Sequence, residues 1–346
     1  MIRVIDRYNL LDELCSGSEE FVKVGMWEEH DIDVLPCHDD TMMASRNLTI
    51  FINNEPDRIQ ARNGAFTSIR SLRPNNIFLV AEIDNQHWPF PTTFYPNFMK
   101  ETVRLNDGYQ YETGKKHFLA DALLGGMSHT GTNYRNNMVT ELENQGLLED
   151  CLINLMPRSF GDGRPGYRSS ALDELDDPDF ISKATGNDEE KKFNTMVPNA
   201  DCGFGQVNYL SQIIPRRVYD SAYLSLVAET ETGYDGVHLS EKISKPLVSG
   251  KPFLLFGAPK YLEALRHIGF KTFDQWWSED YDGINDHNDR ILAIVNSLKT
   301  FHLLPEDTKI NYMEAIKAIT EHNQRLCRSD VFITKVREEI KRRLHE

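Results

Sequence analysis

The sequence predicts an α/β protein of two Rossmann-like domains followed by a C-terminal helical segment. Two observations predict it. Short apolar runs ending in acidic or turn residues recur along the chain, the pattern of strands buried on both faces of a parallel sheet. Between them lie segments with capping residues at their starts and glycines at their ends, so strand and helix alternate as right-handed crossovers require. The best-defined stretch is Tyr223 to Asp282. Tyr223–Ala228 is an apolar strand ending in Glu229, and Ser240 caps a helix that starts at Glu241 and stops at Gly250. Pro252–Phe256 is the next strand, Gly257-Ala258-Pro259 the turn, and Lys260–His267 an amphipathic helix closed by Gly269.

Sheets of this kind place chemistry at the carboxyl ends of strands and the amino ends of helices. Glu241 and Lys242 occupy such a helix start, where free backbone N–H groups and the helix dipole favour an anion and Lys242 adds a mobile positive charge. An ionised Glu241 only accepts hydrogen bonds, so it cannot hold phosphate but can take two hydroxyl protons of a ribose. Together the pair suits a nucleotide diphosphate.

The strand ending in Glu229, the Ser240-Glu241-Lys242 start and the following Gly-Lys-Pro-Phe strand resemble the donor half of B-fold glycosyltransferases. Similar fucosyltransferase-type enzymes carry Phe-Glu-Asn and Thr-Glu-Lys at these places; here Ala228-Glu229-Thr230 and Ser240-Glu241-Lys242 stand instead. The tail from Gly257 to Asp282 is similar to GxPxYLxxLRxxGFKTFDxxxxExYD of a group of viral and bacterial glycosyltransferase-like proteins. The likeness is good over some sixty residues and hardly touches the first hundred. It implies a glycosyltransferase B-type fold and a sugar nucleotide as donor substrate, with Glu229, Ser240, Glu241 and Lys242 at the donor. It also implies Arg135, at the start of a helix after a glycine loop, as a reach to the donor phosphate; the other reading of Arg135 is a solvent-facing helix residue. One of Arg216 and Arg217 would be a second phosphate cation.

Composition bounds the rest. A 346-residue chain with 40% hydrophobic and 26% charged residues is globular and most simply two domains. No apolar run is long enough to span a membrane, and MIRVIDRYNLLDE has acid where a signal peptide needs its apolar stretch, so the expected location is cytoplasmic. Cys15, Cys37, Cys151, Cys202 and Cys327 form neither a zinc spacing nor an even disulfide set. They read as free thiols. A formal net charge of −15 argues against nucleic acid as a partner. Asp31 and Asp33 form a DxD triplet without the context of a metal clasp, and His30, His38, Asp39 and Asp40 lack metal-ligand spacing.

Residues 1–110 read as the acceptor-side domain, with strands at Phe21–Val24, Ile32–Leu35, Leu48–Ile52 and Ile77–Ala81. Glu55, Glu82, Asp84 and His87 then fall at carboxyl ends of strands, as catalytic candidates or as plain caps. The polar, turn-rich 106–116 segment marks a boundary. Residues 111–300 form the donor domain: a strand from His117 to Leu124, Gly125 and Gly126 in a loop where backbone approaches a ligand or merely turns, a helix capped by Asn133 and ending at Gly146, and a strand after Leu147. Residues 157–200 look like an excursion without core elements, in which Arg158, Arg164 and Arg168 either close over a phosphate or, more simply, are solvated. Residues 301–346 are C-terminal helices.

The expected chemistry is sugar transfer from a nucleotide-diphosphate sugar to a glycan or other hydroxyl acceptor. It uses fixed positive groups rather than a metal or cofactor, with Glu82, Asp84 or His87 as base if the reaction inverts. The alternatives are a sugar-nucleotide-binding or interaction protein without turnover, and a viral DNA-base glycosyltransferase.

Overall fold

The structure, a computed structural model, describes residues 2–6, 21–23, 49–53, 77–81, 83–84, 92–106, 108–125, 134–155, 166–175, 213–229 and 237–344. They fall into two compact units, one holding the described residues up to Asn97 and from Asp330 onward, the other those from Phe98 to Ser329. Each contains a five-stranded sheet, and the protein is mixed α/β with mostly parallel strands.

In the first unit, β1 (Ile2–Asp6), β2 (Phe21–Lys23), β3 (Thr49–Asn53) and β4 (Ile77–Ala81) are followed by the two-residue β5 (Ile83–Asp84) and by β6 (Thr92–Phe94). The sheet order is β2-β1-β3-β4-β6, all parallel, with Arg3 opposite Thr49 and Thr49 opposite Ile77. β2, β3 and β4 match the expected strands to within a residue. The Ile32–Leu35 strand lies outside the described residues. β1 and β6 were not expected. β1 is a short run with Arg3 inside it and Asp6 at its end, and β6 follows a proline-dense segment whose composition reads as loop.

The second unit begins with α1 (Asn97–Leu105, all but its first residue) and β7 (Phe118–Gly125), followed by α2 (Tyr134–Asn144) and β8 (Cys151–Leu155). Then come the short β9 (Tyr167–Arg168) and α3 (Ala171–Glu174), and α4 (Arg216–Ser221) leading directly into β10 (Ala222–Ala228). After β11 (Val237–His238) the chain forms α5 (Glu241–Ser249), β12 (Phe253–Phe256), α6 (Tyr261–His267), a 3-10 turn (Asp280–Gly283), α7 (His287–His302) and α8 (Glu306–Arg328). All seven residues of β10 are buried, as a strand covered on both faces should be. The order is β12-β10-β7-β8-β9, with only β9 antiparallel. It therefore reverses between β7 and β10, and such a point leaves a crevice outside the carboxyl ends of the two strands.

A buried ion pair ties this sheet together. Lys251, which leads into β12, binds Asp121 of β7, and Ser225 of β10 donates to the same carboxylate at 3.0 Å. The Lys251 amine also donates to the Tyr219 carbonyl at 2.7 Å and lies over the Tyr219 and Tyr111 rings. Every charge there is matched, the condition under which burial of an ion pair is tolerable.

Three expectations change. The boundary does not fall at 106–116: the units divide at Asn97, and Tyr109 and Tyr111 are buried, donating to Asp220 at 2.8 Å and to the Ala222 and Tyr223 carbonyls at 3.2 Å. Two aromatic anchors outweigh the polar residues around them. The 157–200 excursion contributes β9 and α3, whose Leu172 packs with Leu152 and Val218. The C-terminal segment also divides, for α8 belongs to the second unit and α9 (Val331–Leu344) to the first. Phe332 of α9 stands edge-on to Phe94, ring centroids 5.8 Å apart. Among the described residues no helix is long and apolar enough to cross a membrane.

Candidate functional site

The site is built at the carboxyl end of β10, beside the order reversal. Glu229 follows the strand directly and its N–H donates to the Phe256 carbonyl at 2.9 Å, so the sheet ladder delivers its side chain to one fixed place. Its carboxylate Oε2 accepts from the Ser240 hydroxyl at 2.5 Å, and that hydroxyl accepts in turn from the Lys242 N–H at 3.1 Å. Ser240 is the extended N-cap of α5, and Gly250 ends the helix in the left-handed conformation at φ 74°, both as the sequence predicts. One serine thus couples the strand-end acid to the start of the helix. Pro246, inside α5, offers no N–H to the Lys242 carbonyl, which loosens the helix behind the cap.

The start of α2 closes the other side. The Tyr134 hydroxyl donates to the Glu229 carbonyl at 2.9 Å and the Arg135 guanidinium to the Ala228 carbonyl at 3.4 Å. Arg135 is 5% exposed, so it is not a solvent-facing helix residue. From α7, the buried Arg290 donates to the Gly257 carbonyl at the end of β12 and lies over the Phe256 ring. On α6, the Tyr261 hydroxyl donates to the His238 carbonyl.

The electrostatics set the two acids apart. Burial pushes the Glu229 carboxyl up to about 7, against the pull of Lys242, Ser240 and Arg135 and with a further push from Glu241. Burial acts on Glu241 in the same direction, but the Lys242 charge and hydrogen bond, the backbone and Lys245 together outweigh it and hold the acid down at about 2. Glu241 and Lys242 bind each other, with side chains 20% and 17% exposed. Burial lowers Lys245, one turn on, to about 8. The value of one acid is thus raised towards neutrality while the other is held as a carboxylate. Paired titratable groups pushed apart in this way mark functional sites.

The structure therefore brings together Glu229, Ser240, Glu241, Lys242 and Arg135. It places Arg216 and Arg217 elsewhere, on the helix that feeds the amino end of β10. Arg216 lies over the Tyr109 ring and Arg217 donates to the Glu174 carbonyl at 3.1 Å. Asp84 lies in β5. Gly126, Glu82, His87, Glu55, Arg158, Arg164, the Asp31–Asp33 triplet and His30, His38, Asp39 and Asp40 lie outside the described residues. Among the described residues no cluster of potential metal ligands occurs. An open depression of about 420 Å³ lined by Gln110, Glu321, Gln324, Arg325, Arg328 and Ser329 sits near the carboxyl end of α5, away from this site.

Much of the Gly257–Asp282 tail is structural. Asp282 accepts from the Leu262 and Glu263 N–H groups at 2.8 and 3.0 Å, capping α6 from outside the helix. Glu279 accepts from the Phe273 N–H at 2.7 Å and from Arg266 at 3.0 Å, and Arg266 also holds Thr272. Tyr281 is buried, and Trp277 packs on Phe273 and Phe301 rather than facing a ligand. Sequence reasoning missed Tyr134, Lys245, Tyr261 and Arg290. Lys245 was legible as the i+4 partner of Glu241; the other three act through contacts between distant elements. Cys151 and Cys327 are free and buried, their thiols pushed by burial to about 12. No protein-family model matches the chain, and no curated protein matches it.

Proposed function

We propose that the chain is a glycosyltransferase with two Rossmann-like domains of the B type. It moves a sugar from a nucleotide-diphosphate sugar to a hydroxyl acceptor such as a glycan. The observation that carries the reading is the Glu229–Ser240–Glu241–Lys242 constellation at a strand's carboxyl end and a helix's amino end, beside the order reversal of the sheet. Glu241, held ionised, takes the ribose hydroxyls. Lys242 leaves Glu241 for the diphosphate, which also faces the positive end of α5 and the Arg135 guanidinium.

As the sugar–oxygen bond breaks, charge gathers on the leaving diphosphate, and these cations stabilise it from fixed positions, a contribution of several kcal/mol in sites of this type. An acceptor hydroxyl attacks the anomeric carbon. In the inverting version its proton passes to one of Glu82, Asp84 and His87. The test is calorimetric titration with a panel of nucleoside diphosphates, then an assay of hydrolysis and transfer with the matching sugar nucleotide. Lys242→Ala should weaken the nucleotide that binds by about 10- to 100-fold, the worth of a charge-assisted hydrogen bond, with an unchanged circular dichroism spectrum. Absence of binding by every nucleoside diphosphate overturns the reading, and binding without any turnover leaves a nucleotide-binding protein in its place.

A further inference from the structure

Glu229 is 2% exposed and its carboxyl accepts through Oε2; its Oε1 is buried from solvent and has no partner among the described residues. A buried carboxylate ordinarily fills both oxygens, since each unfilled one costs the desolvation of a charged group. The missing partner therefore points to a carboxyl that carries a proton in part of its working cycle. It stands where the anion of the proposed donor would arrive, because its other oxygen holds the N-cap of α5.

The charges around it come from four elements. α5 contributes Glu241 and Lys242, with Lys245 behind them; α2 contributes Arg135, beside the Tyr134 hydroxyl; α6 contributes the Tyr261 hydroxyl, which feels the Glu229 charge; and α7 contributes His287, packed against the Tyr134 and Phe256 rings, and Arg290 at the Gly257 carbonyl. With Glu229 and Glu241 both ionised, their charges offset two of the four nearby cations, Lys242, Arg135, Lys245 and Arg290. A proton on Glu229 returns one positive charge to the site.

We propose that Glu229 is a proton-linked element of the anion site: protonated, it leaves Lys242, Arg135 and the amino end of α5 net positive and receptive to a nucleoside diphosphate, and ionised it opposes that ligand. Binding of the diphosphate by the ionised form then takes one proton from solvent onto Glu229, with no other bond made or broken. This rests on the donor reading above and adds to it the linkage and its carrier. The raised affinity of Glu229 for its proton places the change near neutral pH.

The experiment is calorimetry with UDP and GDP at pH 6, 7.5 and 8.5, each in two buffers of different ionisation enthalpy. The probes are the wild type, Glu229→Gln, which keeps the acceptor for Ser240 and mimics the neutral acid, and Lys245→Met, which removes the other group titrating nearby. The wild type should take up part of a proton at pH 7.5 and lose affinity as pH rises, about tenfold for each unit by which the ligand raises the Glu229 value. Glu229→Gln should bind at pH 8.5 as tightly as the wild type at pH 6, corrected for titration of the nucleotide itself, while Lys245→Met keeps the Glu229-dependent part. Equal pH dependence in wild type and Glu229→Gln overturns the linkage and leaves the donor site standing. If Glu229→Gln does not fold, the wild type alone decides, because zero proton uptake in both buffers is the same negative answer. If neither these two nor any other nucleoside diphosphate binds at any pH, the donor reading fails and the linkage with it.

Discussion

Glu229 has a cost that can be measured without any ligand. Its folded-state value of about 7 lies above its ordinary 4.5 because burial favours the neutral form. Below pH 4.5 both folded and unfolded chains hold the proton, and the full stability is present. As pH rises through 7 the folded protein must either keep a proton that the unfolded chain has released or bury a carboxylate, so stability falls. Glu229→Gln removes that component. It should be more stable than the wild type at pH 8 by up to about 3 kcal/mol and should gain little at pH 5. Urea titrations at the two pH values, read by fluorescence of Trp276 and Trp277, check this; an equal effect at both would mean that the carboxyl ionises in the folded protein as readily as in the unfolded chain. Glu241 works in the opposite sense. Its depressed value contributes stability above pH 4.5 that is lost as pH falls through about 2.

At the scale of elements, the helix over 241–249 shows what a sequence can disclose. Its cap, its stop and both flanking strands were legible because each rests on a local rule: a serine with an extended backbone, a glycine at positive φ, and an apolar run. β1 and β6 were not legible, since a five-residue run broken by Arg3 and a three-residue strand after a proline-dense approach are held as strands only by their neighbours; α1 was not singled out either. The candidate site divides in the same way. Ser240, Glu241 and Lys242 lie within three residues and reveal themselves, whereas Tyr134, Tyr261 and Arg290 reach the site only through the folded chain. The stop at Gly250 is testable. A Cβ there would strain the left-handed backbone and come within 2.7 Å of the Gln324 side chain, which donates to the Val248 carbonyl. Gly146 has a similar φ of 72° with nothing within 4 Å of a Cβ. Gly146→Ala should therefore cost about 1 kcal/mol and Gly250→Ala about 2–3 kcal/mol once the Gln324 contact is lost. Equal shifts in the denaturant midpoint would show that Gln324 moves aside at no cost.

On the scale of the whole molecule, the chain makes its two units from discontinuous segments, and the last helix decides the fate of the first. α9 begins just beyond Ser329 and belongs with β1 to β6, not with α8, which precedes it. Its Phe332 and Val336, one turn apart, are each 1% exposed, and Phe332 meets Phe94 of β6. Burial of two such side chains is worth about 1.5–3 kcal/mol each, a large share of the 5–15 kcal/mol by which a domain is usually stable. The exposed Lys335 and Glu338 and the surface pair of Arg342 with Glu339 add little of that. Truncation after Ser329 should thus loosen the first unit and spare the second, whose Asp121–Lys251 pair and β10 core involve no residue of α9. Hydrogen exchange reads the two separately: amides of β1, β3 and β4 should lose protection in the truncated chain and in Phe332→Ala, while those of β10 and β12 keep theirs. Protection lost equally in both sheets would mean the units unfold as one, and protection lost in neither would mean that α9 is dispensable to the sheet it accompanies.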